Sequence, residues 1–176
     1  MSKKSRTEKI LAVMYVLAWL AFVGLIVEAG AILISFGVSI ANPVAAKDLY
    51  KKMNLYGLRQ YNFFYYTVKI AMMIAVLVLE AYTAWLVIKV LSKIKLADPF
   101  TIEVAKILER ISIFIMITWI VDSLHIAYTG WLSKGLSGLQ DGLELNSFIF
   151  LAGIVFVIAQ IFKKGVEIQS ENDLTI

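Results

Sequence analysis

Four long apolar stretches dominate the chain, divided by short polar segments. The first runs from Ile10 to about Ile40 and is interrupted by one charge, Glu28. The second runs from about Phe63 to Val90, holds Lys69 and Glu80, and has Lys89 at its inner end. The third covers about Ile111 to Leu132 and holds Asp122 and His125; the fourth covers about Leu145 to Phe162 without a charge. A spanning helix needs about 20 mostly apolar residues. A barrel strand needs only about 10, alternating in polarity, and these stretches are longer and do not alternate. Backbone groups in lipid must be satisfied within the segment, so helices are the physical default. The pattern predicts an all-α fold: one integral membrane domain over 1–176, a four-helix bundle with spans at about 10–40, 63–90, 111–132 and 145–162 and a tail at 163–176.

The connecting segments carry their own signals. Asn42-Pro43 ends the first helix, because a residue before proline avoids the α region. Leu49, Met53, Leu55 and Leu58 alternate with Lys47, Lys51, Lys52 and Arg59, and Tyr50, Tyr56 and Tyr61 lie among them. Two readings stay open for this segment: an amphipathic element on the outer interface, or a solvated loop. Asp98-Pro99-Phe100-Thr101 breaks the inner connection, and Thr101 is placed to cap a helix that carries Val104, Ile107 and Leu108 into the third span. Gly130, Gly135, Gly138 and Gly142 loosen the second outer loop.

Composition narrows the class further. Of 176 residues, 60% are hydrophobic and 17% charged, and there is no cysteine. Soluble domains are about 45–50% apolar and 25% charged, and a small domain cannot hide so large an excess. A soluble enzyme domain, a disordered chain and a disulfide scaffold are therefore excluded. The first stretch has the basic flank of a signal peptide in Lys3, Lys4, Arg6 and Lys9, but it is too long for an h-region of 7–15 residues. It reads as a retained helix, tilted or projecting.

Orientation follows the Lys/Arg distribution in short loops. With the N-terminus cytoplasmic, that side holds Lys3, Lys4, Arg6, Lys9, Lys89, Lys93, Lys95, Lys106, Arg110, Lys163 and Lys164. The other side holds only Lys47, Lys51, Lys52, Arg59 and Lys134. Both termini are therefore expected inside. The net charge of +4 reads as topology and attraction to the bilayer, with no direct nucleic-acid binding.

Charges at membrane depth cost a few kcal/mol and generally face the bundle interior. Glu28, Lys69, Asp122 and His125 fall toward the outer half, with Glu80 deeper. Ala21, Gly24, Glu28, Ala31 and Ser35 form a small-residue stripe on the first helix, the kind that admits a close neighbour. Thr118, Asp122, His125 and Thr129 form a second stripe, in which Asp122 and His125 can touch. Lys69 and Glu80 share a face about three turns apart, and Gln160 is a further polar position in the last span. These residues admit two readings. One is an outward-facing polar cavity for a small polar ligand or protons, as in a small transporter or channel component. The other is a buried network, Glu28 with Lys69 and Asp122 with His125, serving packing. Lys69 could also snorkel to the interface.

Chemistry beyond this is sparse. Without cysteine there is no thiol redox chemistry, and G-x-S-x-G, H-E-x-x-H and phosphate-loop motifs are missing. A single histidine without a second at ligand spacing predicts no metal, and no cofactor is expected. Asp122 and His125 with Ser123 or Thr129 have the residue types of acyl transfer, but such hydroxyls are ordinary packing groups in membrane helices. A non-enzymatic protein is expected.

The last span runs directly into the tail, whose residues carry a resemblance. Ala159-Gln160-Ile161-Phe162-Lys163-Lys164-Gly165-Val166-Glu167-Ile168-Gln169, followed by Glu171-Asn172-Asp173-Leu174-Thr175-Ile176, closely resembles the C-terminal signature of the DUF2975 family of small bacterial membrane proteins. Pro99-Phe100-Thr101 also resembles that family's pattern before its third helix, and the four-span layout matches over essentially the whole chain. The family often carries Glu where this chain has Gln160. The resemblance implies a bacterial inner-membrane protein of unknown function. It also implies a partner, because the family's genes often neighbour a small helix-turn-helix regulator of the Xre type. It assigns no catalytic residue. Read physically, Lys163 and Lys164 anchor the helix end at the headgroups. Glu167, Glu171 and Asp173 make an acidic tail that would dock either on the inner loop or on a basic cytoplasmic partner. Val166, Ile168, Leu174 and Ile176 are expected to add burial. Homo-oligomers remain compatible with all of this.

Overall fold

The computed structural model describes residues 6–50, 53–94, 100–134 and 148–173. Among the described residues the chain is helical without a strand, and the one extended pairing is an isolated bridge between Leu49 and Met53. In chain order the helices are α1 (Arg6–Ala41), a 3-10 turn (Pro43–Lys47), α2 (Tyr56–Tyr61), α3 (Phe63–Lys93), α4 (Ile102–Ser133) and α5 (Phe148–Asp173). Lys3, Lys4, Lys51, Lys52, Lys95, Asp98, Pro99, Gly135, Gly138, Gly142 and Leu174 to Ile176 lie outside the described residues.

Short polar side chains set the helix starts. Asn42 is extended and its Oδ1 accepts from Val44 N, holding the turn at Pro43. Asn54 Oδ1 accepts from Tyr56 N at the start of α2. Asn62 Oδ1 accepts from Phe64 N at 2.8 Å and Tyr65 N at 3.3 Å, so one amide satisfies two orphan donors of α3. Thr101 Oγ1 accepts from Val104 N at 3.3 Å, the cap that its position predicts.

Two helices, α1 with 36 residues and α3 with 31, are long and apolar enough to cross a membrane. At 1.5 Å per residue they measure about 54 Å and 46 Å, well beyond a hydrocarbon core of about 30 Å. The helices outrun the apolar stretches. Helix α4 begins before Ile111, and α5 continues as one helix through Lys163 and Lys164 to Asp173.

The chain divides into two compact units, with α1, α3 and α4 contributing to both. One contains the second part of α1, the turn, α2, the first part of α3 and the second part of α4. Its core joins Ile32, Ala46, Leu49, Leu55, Leu58, Tyr66, Ile70 and Leu132. The apolar residues of the α1–α3 connection are thus buried in protein, not laid on an interface, since Leu55 and Leu58 are 3% and 1% exposed. The other unit contains the first part of α1, the second part of α3, the first part of α4, and α5. Its core joins Leu86, Val90, Val104, Ile107, Ile111, Ile115 and Ala152.

The small-residue stripe on α1 is covered only in part: Glu28, Ala31 and Ser35 are half-buried. Ala21 and Gly24 are exposed, and nothing lies within 4 Å of where a Gly24 Cβ would sit. The covered face is Leu25, Ala29, Ile32, Phe36 and Ser39. The remaining surface of α1, including Val13, Leu17, Leu20, Val27 and Ile34, is exposed and apolar. A monomer in water rarely presents so large a patch.

Candidate functional site: a polar layer within one unit

Glu28, Lys69, Glu80, Asp122 and His125 all belong to the unit that holds the α1–α3 connection. Lys69 sits on α3 beside Tyr66 and Ile70, both part of that core, and is itself 0% exposed. It does not snorkel. Its Nζ donates to Thr129 Oγ1 on α4 at 3.0 Å, and Thr129 is also buried. Packing decides this outcome: Leu58 and Leu132 join Tyr66 and Ile70 around that level of α3, so the ammonium turns to a hydroxyl inside the bundle.

The stripe on α4 faces inward as its spacing predicts, with Thr118 and Thr129 buried and Asp122 and His125 half-buried. Asp122 Oδ1 and His125 Nδ1 are 4.0 Å apart, one turn along the helix. That is charge proximity, too long for a hydrogen bond. Glu80 is half-buried and lies within electrostatic range of Asp122 and Glu28. The structure therefore gathers three carboxyl groups from α1, α3 and α4 at one level. Lys69 meets Thr129 farther along, about three turns from Glu80. Sequence spacing separates Glu80 from the outer layer, because depth counted along one helix ignores where the neighbouring helices place their own residues.

A second polar contact escaped sequence reasoning. Ser39 and Tyr66, 27 positions apart, share a hydrogen bond of 2.6 Å with both side chains fully buried. The Ser39 hydroxyl also donates to Phe36 O at 2.7 Å. Serine in an apolar helix has no directional signal in sequence, so nothing singled it out. Ser123 Oγ donates to Trp119 O at 2.7 Å, a bond within its own helix. Among the described residues no group of three or more His, Asp or Glu is arranged to hold a metal ion.

At the other unit, the tail of α5 meets the segment before α4. The Phe100 ring packs on Phe162 with centroids 5.2 Å apart and lies against the backbone of Gly165. Lys163 Nζ pairs with Glu109 at 2.8 Å, and Lys93 pairs with Glu103 at 2.7 Å. The Lys93 ammonium holds the exposed Glu103 carboxyl below its usual range through that hydrogen bond. Lys164 donates to Glu167 at 2.8 Å, which raises the lysine above its usual value. Among the described pairs a tail lysine meets an α4 carboxylate, and Glu167 pairs within its own helix. Glu171 is exposed, and the Asp173 side chain lies outside the described residues. Val166 is half-buried, but Ile168 is 50% exposed and Gln160 is exposed.

Both segments that meet here, at Phe100 and at Phe162 to Gly165, fall within a region with known relatives. The family model of a protein of unknown function, DUF2975, matches residues 45–176. The chain belongs to that family. No curated protein and no solved structure matches it. The matched region takes in the α1–α3 connection, all of α2 to α5, and both partners of the Phe100–Gly165 contact. DUF2975 membership carries no catalytic assignment, so what this protein does has to be argued from its geometry.

Proposed function

We propose that this DUF2975 protein is a four-span integral protein of the bacterial cytoplasmic membrane, with both termini inside and no catalytic role of its own. It serves as a regulatory partner of a cytoplasmic protein, with the small helix-turn-helix regulator as the first candidate. The observation that carries the reading is the continuity of α5. The helix leaves its apolar stretch at Phe162, continues to Asp173, and is clamped at Gly165 by the ring of Phe100. A tail held as a helix presents a preformed surface with exposed carboxylates at Glu167 and Glu171. A preformed surface binds without the entropic cost of ordering a free peptide, and its charge suits a basic partner.

The apolar surface of α1 and the bias of Lys and Arg toward one side support the membrane reading. Aromatic residues cluster where an outer interface would lie: Tyr65 packs edge-on against Trp131 at 5.5 Å, and Trp131 stacks on Tyr128. The enclosure of Lys69 favours a buried network over a transport path, which would need hydrated groups in continuous file.

Reporter fusions at residues 1 and 176 should both report the cytoplasmic side; a periplasmic signal from either overturns the topology. A small helix-turn-helix regulator of the Xre type from the same genome should bind the full chain in nanodiscs. It should bind at least tenfold more weakly to a Glu167→Lys/Glu171→Lys variant. Equal binding to both proteins refutes the docking surface.

A further inference from the structure

Within the unit that holds Lys69, an open groove of about 390 Å³ runs between α1 and α3. Leu33 and Phe36 line one side; Thr67, Ala71, Ala75 and Val78 line the other. The lining is almost wholly apolar. From Thr67 to Val78 the groove extends for 11 residues of helix, about 16 Å, which is half of a hydrocarbon core of about 30 Å. Its length is therefore that of one leaflet.

One end of the groove has a cation. Ile40 lies one turn beyond Phe36 on α1, and Phe63 lies one turn before Thr67 on α3. Arg59 of α2 touches both: Nη2 donates to Ile40 O at 3.1 Å, and the guanidinium stands over the Phe63 ring at 5.6 Å. Its Nε is shielded from solvent, and no described group accepts from it. A shielded guanidinium donor without an acceptor is uncommon, because its desolvation cost is then left uncompensated. The fork of a guanidinium suits a carboxylate or a phosphate, and at a bilayer surface the phosphate of a lipid headgroup is the abundant one.

We propose that this groove holds one acyl chain of an anionic phospholipid of the leaflet opposite the termini, with its phosphate bound by Arg59. The apolar slot and the cation sit at the spacing of a lipid tail and its headgroup, and both belong to elements that meet only in the folded unit. The inference rests on the membrane reading above. Basic sites between membrane helices recognise anionic headgroups by this chemistry.

The test uses the delipidated full chain in detergent, offered equal amounts of phosphatidylglycerol and phosphatidylcholine with identical chains and read by native mass spectrometry. The wild type should retain phosphatidylglycerol about tenfold over phosphatidylcholine, because the choline cation of the latter neutralises the phosphate charge that draws the lipid to Arg59; tenfold is about 1.4 kcal/mol. Arg59→Gln should abolish that preference, while Arg59→Lys keeps part of it. Ala75→Trp, at an exposed position of the groove, should reduce retention of both lipids. Inorganic phosphate or glycerol phosphate at the same concentration should not compete, which distinguishes a lipid from a free anion. Circular dichroism of each variant checks that the helices persist. Equal retention of the two lipids by the wild type overturns the proposal without reference to any variant. So does competition by free phosphate, or a dimer of the wild type that Ala75→Trp dissociates, because a second copy of the chain would then occupy the groove. Release of the wild type from membranes by alkaline carbonate would instead show the membrane reading to be wrong, and the lipid site with it.

Discussion

Replacing Gly165 with alanine sets two effects of opposite sign against each other. In an exposed helix interior, alanine in place of glycine stabilises by about 1 kcal/mol. Here the new Cβ would stand 2.6 Å from Phe100 Cδ1 and 2.9 Å from Cγ. Carbon atoms pack at about 3.5–4.0 Å, so the ring must retreat by about 1 Å. Cγ lies at the root of the ring, so rotation alone cannot clear it. Retreat weakens the contact with Phe162, an aromatic pair worth about 0.5–1.5 kcal/mol, and overpacking generally costs about 1–3 kcal/mol. Phe100 is 38% exposed and has some room to swing outward, which keeps the cost near the middle of that range. The net expectation is destabilisation by about 1 kcal/mol. In a Phe100→Ala background the obstruction is gone, and the same Gly165→Ala change should stabilise by about 1 kcal/mol. The sign reversal corresponds to a coupling of about 2 kcal/mol. Thermal unfolding in detergent followed by circular dichroism reads it, at about 2–4 °C per kcal/mol for a chain of this size. If Gly165→Ala raises the midpoint equally in both backgrounds, the tail helix does not dock on Phe100.

Thr129→Val removes the hydroxyl that accepts from Lys69 and should cost about 1–3 kcal/mol; an unchanged melting midpoint would show that Thr129 does not hold the ammonium. Ser39→Ala leaves the Tyr66 hydroxyl without that partner and should cost about 1 kcal/mol, measured the same way. Glu103 has its carboxyl held below the ordinary value of about 4.3, so the contribution of the Lys93–Glu103 pair is present above that pH. It is lost as pH falls through the depressed value. The midpoint difference between the wild type and Glu103→Gln should therefore vanish in acid, and a difference that persists there would refute the pairing. Glu109→Gln should change stability by about 0–1 kcal/mol only, because its pair with Lys163 is partly exposed; a larger loss would mean the tail hangs on that one pair.

The positions of the helices were legible along the chain. A long apolar run in lipid satisfies its backbone as a helix, and Thr101 marks a helix start because its side chain reaches a donor three residues away. These are local facts, readable within one or two turns. The inward stripe of Thr118, Asp122, His125 and Thr129 is legible for the same reason. Tertiary structure alone decided which residues meet. Lys69 finds Thr129 across 60 positions, and Ser39 finds Tyr66 across 27. The packing face of α1 falls on Ala29, Ile32 and Phe36, not on Ala21 and Gly24. On a helix apolar all round, polarity cannot point to the buried side; the shapes of the neighbouring helices choose it. The tail shows the same division. Its charges foretold pairing with the segment around α4, but the partners and their signs depended on where the ring of Phe100 lets α5 approach.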